Sequence, residues 1–156
     1  MNPRVSYYDE MASFKLLSGL VQRCLSVKKT LKIKEKNMPY TDEEVNEQLA
    51  KTLPNWVLEN GWIRRKYKTS GWKATLMVVN TVGHLAEAAW HHPDLAISYA
   101  FVIVKLQTHD AKGITDKDFE LAAKIESVIG WQPAKEGGAL EGTPNEDARF
   151  KYIKYD

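Results

Sequence analysis

Apolar residues return every three or four positions in three stretches of the chain, and at β spacing or as continuous runs between them. A period near 3.6 predicts helix and a period of two predicts strand. The first helix is marked by Val45, Leu49 and Leu53. Ahead of it, Thr41-Asp42-Glu43-Glu44 reads as a capping box, in which Thr41 accepts an amide of the first turn and Glu44 reaches back. Pro54 stops this helix. From Trp56 to Lys68 two β-type runs flank Asn60-Gly61, a pair that tolerates positive φ and so predicts a hairpin. A second helix, from about Gly71 to Trp90, has Trp72, Leu76, Val79, Gly83, Ala86 and Trp90 as its expected buried stripe. Pro93 cannot continue it. Residues 96–109 hold no Gly, Asn or Asp to mark a turn, so their pattern alone predicts one long buried strand. Lys112-Gly113 makes a turn, and Thr115 caps a third helix with Asp116 and Asp118 in its first turn. Leu121, Ile125 and Val128 line its expected buried face, and Gly130 ends it.

The two ends read differently. Residues 11–27 suit a basic amphipathic helix with Phe14, Leu17, Val21 and Leu25 on one side. From Met11 on they carry no acid, as in a mitochondrial transit peptide, but Asp9 and Glu10 precede them, so a docking arm is the plainer reading. Lys28 to Asn37 reads as a solvated connector. From residue 130 on, four Gly and two Pro predict mostly loop. Residues 149–156 alternate well enough to form an edge strand or to clasp a second subunit.

Composition narrows the class. The 156 residues, 44% apolar and 27% charged, suit a single soluble domain. No apolar run approaches the length of a membrane span, so a membrane is not expected as a partner. Cys24 stands alone, which excludes an intramolecular disulfide and points to a reducing compartment: the cytoplasm, or the mitochondrion if residues 11–27 are a leader. Residues 1–40 hold eight Lys/Arg against three acids, a net +5; the rest hold fourteen against seventeen, a net −3. On that balance nucleic acid is not an expected partner of the domain.

Three of the four histidines, His91, His92 and His109, fall between Glu87 and Asp118. Imidazole changes charge near neutrality, so the cluster suggests proton transfer or metal ligation. Glu87 and His91 share a helix face one turn apart; His91 and His92 leave the helix end; His109 follows the β run, beside Asp110. The order Glu87, three residues, His91-His92-Pro93, five residues, Tyr99, nine residues, His109, eight residues, Asp118 resembles the signature of the pterin-4a-carbinolamine dehydratases. The Thr-His-Asp-Ala surroundings of His109 share the likeness, which extends from about Thr41 to Ile129.

That resemblance implies an α+β fold, a four-stranded antiparallel sheet with three helices on one face, in the order helix, hairpin, helix, strand pair, helix. It thus divides residues 96–109 into two strands. The dehydratase-like domain would span 41–130, between an extension over 1–40 and another over 131–156. The implied activity is dehydration of a 4a-hydroxytetrahydropterin to the quinonoid dihydropterin in reduced-pterin recycling. His91, His92 and His109 would supply acid and base, with no metal and no organic cofactor. Glu87, Pro93, Asp94, Trp56 and Asp110 would line the pterin, and homodimers or homotetramers are implied.

Plainer readings stand beside these. Glu87 can form only an exposed helical pair, Trp56 can be a core tryptophan, Pro93 can serve to end the helix, and a first-turn acid accounts for Asp118. His84, Glu87 and His91 share a helix face that could ligate a metal with His92 and His109, but the spacing is not H-E-x-x-H, and His84 reads as a helix residue with no role. Leu95, Ala96 and Lys117 depart from the aromatics and the arginine that many dehydratases carry, which bears on the substrate more than on the reaction. The other class open to the chain is a non-catalytic module, a transcriptional coactivator or an assembly factor. The three histidines favour the enzyme; the two extensions, which catalysis leaves unexplained, favour the module.

Overall fold

The structure, a computed structural model, describes residues 38–144, 147 and 150–155. The readings of residues 11–27 and 28–37 lie outside them, as do Arg149 and Asp156 of the tail. Helix α1, Asp42–Thr52, starts with the expected capping box: Glu44 N–H donates to Thr41 Oγ1 at 3.3 Å, and Thr41 N–H to Glu44 Oε2 at 2.9 Å. The hairpin of β1, Val57–Glu59, and β2, Trp62–Lys68, turns through Asn60 and Gly61 at φ 52° and 77°. Helix α2 covers Trp72–Ala89, β3 Asp94–Ser98, β4 Phe101–Leu106 and α3 Asp116–Ile129.

The four strands form one antiparallel sheet in the order β1-β2-β4-β3, with Ile63 opposite Leu106 and Leu95 opposite Val104. Strand alternation sends Ile63 and Tyr67 of β2, with Val102, Val104 and Leu106 of β4, to one face. There they are buried in a single core with Val45 and Leu49 of α1, Val78 and Val82 of α2, and Leu121, Ala122 and Ile125 of α3. The fold is α+β, a four-stranded antiparallel sheet with three helices.

The division of residues 96–109 into β3 and β4 is present, although no residue type announces it. The turn at Tyr99-Ala100 is held by partners elsewhere: Thr75 Oγ1 donates to the Tyr99 carbonyl at 3.0 Å, and the Thr69 amide to that of Ala100 at 2.8 Å. Helix α2 buries a different stripe from the expected one. Ala74, Thr75, Val78, Val82 and Ala86 face the core, whereas Trp72, Leu76, Gly83 and Trp90 are exposed. The helix is apolar on both sides, and a close approach to the sheet selects the row of small and β-branched residues. Val128 of α3 is likewise exposed, with Phe119 and Ile129 buried beside Leu121 and Ile125.

The C-terminal residues do not form the predicted strand. Among the described ones a single bridge joins Ile153 to Thr69, flanked by Ser70 N–H to Tyr152 O at 3.1 Å and Lys154 N–H to Lys68 O at 3.0 Å. Ile153 is buried in the core, so a side chain docks the segment more than a ladder does.

One partly buried carboxylate gathers three side chains. Trp56 Nε1 and the Tyr67 hydroxyl both donate to Glu126 Oε2 of α3, at 3.0 and 2.7 Å, and Arg65 Nε lies 3.5 Å from the same oxygen. Burial, with the negative charge of Glu126, pushes the Tyr67 hydroxyl far above the usual phenol range.

Candidate active site

The way α2 ends decides where its two histidines go. The Trp90 amide donates to Glu87 O at 3.2 Å and the His91 amide to Ala86 O at 3.1 Å, a Schellman closure. Such a closure needs one left-handed residue, usually glycine; here it is Trp90, at φ 50°. A side chain in that conformation costs about 1–2 kcal/mol. Beyond the turn consecutive residues diverge: the His91 side chain is 12% exposed and that of His92 55%.

His91 meets a buried carboxylate. Its Nε2 lies 2.8 Å from Oδ1 of Asp118, in the first turn of α3. The other Asp118 oxygen accepts from Thr108 Oγ1 at 2.7 Å and from the Thr115 amide at 2.8 Å. Asp118 closes the capping box of α3, as a first-turn acid should, and uses its second oxygen on the imidazole. An acceptor there makes Nε2 the protonated nitrogen and leaves Nδ1 to exchange a proton. Asp118 belongs to the spacing signature but reads there as a helix-start acid, and the buried Thr108 is not singled out by the sequence. The signal was strand alternation, which carries Thr108 to the core side with Leu106, where a hydroxyl needs a partner.

His92 faces solvent. Its Nε2 lies 3.1 Å from Glu87 Oε2, and its ring meets that of Trp90 edge-on at 5.5 Å. Glu87 thus reaches the second histidine of the pair, not the one directly above it on the helix. His109 is exposed after β4, edge-on to Trp62 at 5.6 Å. Lys105 Nζ lies 5.3 Å over the Trp62 ring and 3.7 Å from Asp94 Oδ2. Each histidine thus has partners of its own: Asp118 for His91, Glu87 and Trp90 for His92, and Trp62 for His109.

The remaining expected residues are placed as follows. Pro93 is half-buried between the pair and β3, and Asp110 is exposed in the turn after Thr108. Trp56 is buried in the core, on Glu126. His84 is exposed on α2, and among the described residues no three His, Cys, Asp or Glu side chains converge as a ligand set. A groove of about 510 Å³ opens against His91, between Trp90 and the α3 residues Lys117, Glu120 and Lys124. A cleft of about 560 Å³ lies in the C-terminal segment, among Trp131, Phe150, Tyr152 and Tyr155, with no histidine in its lining. Of the expected site residues, His91 alone is among those lining the groove.

Fold and site together define a small α+β domain with two imidazoles at the end of a helix, one of them on a buried carboxylate, and a third after the end of a strand. Residues 38–128, more than half of the chain, match the family model of pterin 4 alpha carbinolamine dehydratase, and the chain belongs to that family. A protein of Aquifex aeolicus named "Putative pterin-4-alpha-carbinolamine dehydratase" is 44% identical over 89 residues, 57% of this chain and 89% of its own length. One of the same name from Chloroflexus aurantiacus is 48% identical over 94 residues, 60% of this chain and all of its own. Among solved structures, the "transcriptional coactivator/pterin dehydratase" of Brucella melitensis superposes with a TM-score of 0.53 at 27% identity, covering 58% of this chain and 97% of that one.

Proposed function

We propose that the chain is a 4a-hydroxytetrahydropterin dehydratase, a carbon–oxygen lyase that releases water and a quinonoid dihydropterin in the recycling of reduced pterins. The reading rests on family membership and on one observation, the His91–Asp118 pair. The reaction breaks the C4a–O bond, removes the proton on N5 and leaves a double bond between N5 and C4a. Hydroxide is a poor leaving group, so an acid must protonate it as the bond breaks, while a base takes the N5 proton. Nδ1 of His91 is the base in this scheme, with Asp118 orienting the ring and stabilising the imidazolium that forms. An exposed imidazolium, His92 beside Glu87 or His109 beside Trp62, donates the proton that leaves as water. Proton exchange with solvent resets the set, and each acid–base contribution is worth roughly 10²–10⁴ in rate. Glu87, Pro93, Asp94 and Asp110 border the pterin, and Trp56 supports the sheet beneath it.

The substrate, generated by a hydroxylating reaction, is followed by its absorbance in stopped-flow. Turnover well above the uncatalysed rate is expected, and its absence would sink the enzyme reading. In that event the exposed apolar side chains of α2, Trp72, Leu76 and Met77, favour a non-catalytic docking module. Among the described residues β1 and β3 are the edge strands of the sheet, and such edges suit self-association into dimers or tetramers. Among the described residues no helix is long and apolar enough to cross a membrane. The lone Cys24 is what supports a reducing compartment such as the cytoplasm.

A further inference from the structure

The charge deficit of the domain is an average, and strand alternation undoes it on one surface. Residues of β2 that point away from the helices are Trp62, Arg64, Lys66 and Lys68; those of β4 are Phe101, Ile103 and Lys105; those of β3 are Asp94, Ala96 and Ser98. The register lines them up in rows: Arg64, Lys105 and Asp94; Lys66, Ile103 and Ala96; Lys68, Phe101 and Ser98. Among the described residues the helices all pack on the other face, and Lys66 and Lys68 are exposed. Acids that lower the average sit largely on helices, as Asp42, Glu43 and Glu44 of α1 and Asp116, Asp118 and Glu120 of α3 do.

Four cations share this face with two acids. Glu59 pairs with Arg64 at 2.5 Å and Asp94 with Lys105 at 3.7 Å. Lys66 instead lies over an aromatic ring, its Nζ 4.0 Å from the centroid of Phe101, as Lys105 lies over Trp62. Arg64, Lys66 and Lys68 recur every second residue, so successive cations stand about 7 Å apart along β2. Two flat rings lie at opposite ends of the two central strands, and the side chains of Ala96 and Ser98 are too small to crowd the flank.

We infer that this sheet face binds single-stranded nucleic acid, with Arg64, Lys66, Lys68 and Lys105 on phosphates and Phe101 and Trp62 stacking on bases. Cations parked on ring faces move to phosphate oxygens and leave the rings to the bases. A purely electrostatic partner, such as an acidic protein or a sulfated sugar, would use the lysines and have no use for the rings. The face is also how residues 41–156, with a net charge of −3, can hold a polyanion.

The test is fluorescence anisotropy of a labelled oligothymidylate of about twenty nucleotides with the full chain, across a range of salt. Saturable binding is expected, tighter than to a duplex of equal length and weakening as salt rises. The double variant Lys66→Ala/Lys68→Ala should lose about tenfold or more in affinity, and its slope of log K against log salt should shrink by about 1.4, two phosphates' worth. Phe101→Leu should weaken binding by about fivefold with little change in that slope. Thermal melts verify folding, and the exposed lysine pair decides the matter alone if Phe101→Leu does not fold. No binding at low salt overturns the inference. So does binding that survives the lysine double variant, which would assign it to the basic residues 1–40. Equal competition by heparin, with Phe101→Leu silent, also overturns it in favour of a general polyanion surface.

Discussion

Nε2 of His91 and Oδ1 of Asp118 stand 2.8 Å apart across 27 positions of sequence. The bond joins the end of α2 to the start of α3 and gives a fully buried carboxylate a second partner beside the helix cap it closes; in the proposed mechanism that partner is the base.

Asp118→Asn separates these tasks. It keeps the shape of the capping side chain but puts an amide where a carboxylate oriented the imidazole. Turnover should fall by roughly 10²–10⁴, and stability by about 1–3 kcal/mol for the impaired buried hydrogen bonds. Stopped-flow dehydration and urea unfolding measure the two losses. Lost stability with unchanged kcat would reduce Asp118 to a helix cap.

If the three imidazoles share proton transfer, alanine at His91, His92 or His109 should each lower kcat by roughly 10–10⁴-fold. Double variants should lose less than the product of the single losses, because groups acting as a unit are non-additive. His84→Ala, an exposed change on α2, should be nearly silent. Three silent histidine variants would contradict the dehydratase mechanism.

The tail should matter to folding and not to chemistry. Ile153→Ala should cost about 2 kcal/mol, low for a core isoleucine because the segment can undock. Removing residues 131–156 should destabilise the domain or change its assembly while turnover persists. Denaturant titration, size exclusion and the dehydration assay are the readouts. Lost turnover in a protein that folds and assembles normally would put the tail at the substrate.

Alkaline stability follows from Tyr40. Its hydroxyl donates to Asp116 Oδ1 at 2.5 Å; that bond, then burial, then the charges of Asp116 and Glu44 push its pKa from 10.0 up to about 12. The folded state thus keeps a proton that the unfolded chain gives up first. This contribution is complete below pH 10 and fades between about 10 and 12. Tyr40→Phe should flatten the decline of unfolding free energy over that range, measured from pH 9 upward. An unchanged slope would remove Tyr40 from the account.

What the chain reveals on its face is what its neighbours in sequence decide. The capping box at Thr41 and the positive-φ pair Asn60-Gly61 act within a few residues, so they could be read directly. The turn at Tyr99-Ala100 could not, because it is held by hydroxyl and amide partners on Thr75 and Thr69. Nor could the outward face of α2: periodicity finds an apolar stripe but does not say which of two stripes meets the sheet. At the site, the spacing signature drew attention to the helix end that carries His91 and His92 and to the strand end that carries His109. It did not reveal that Asp118 serves His91 while Glu87 serves His92, since both pairings depend on the left-handed step at Trp90.

Glu126 has a bearing on how the protein is made. The carboxylate that holds Trp56 and Tyr67 lies 70 and 59 positions downstream of them, on the same helix as Asp118. A nascent chain emerging from the ribosome can close its β1–β2 hairpin early, but it gains this clamp and the partner of His91 only when α3 is out. Contacts of such long sequence separation are slow to form and arrive late. Synthesis that stalls before Asp118 therefore leaves the part of the apolar sheet face that α3 covers bare, a target for chaperones or proteases, and leaves His91 without its carboxylate.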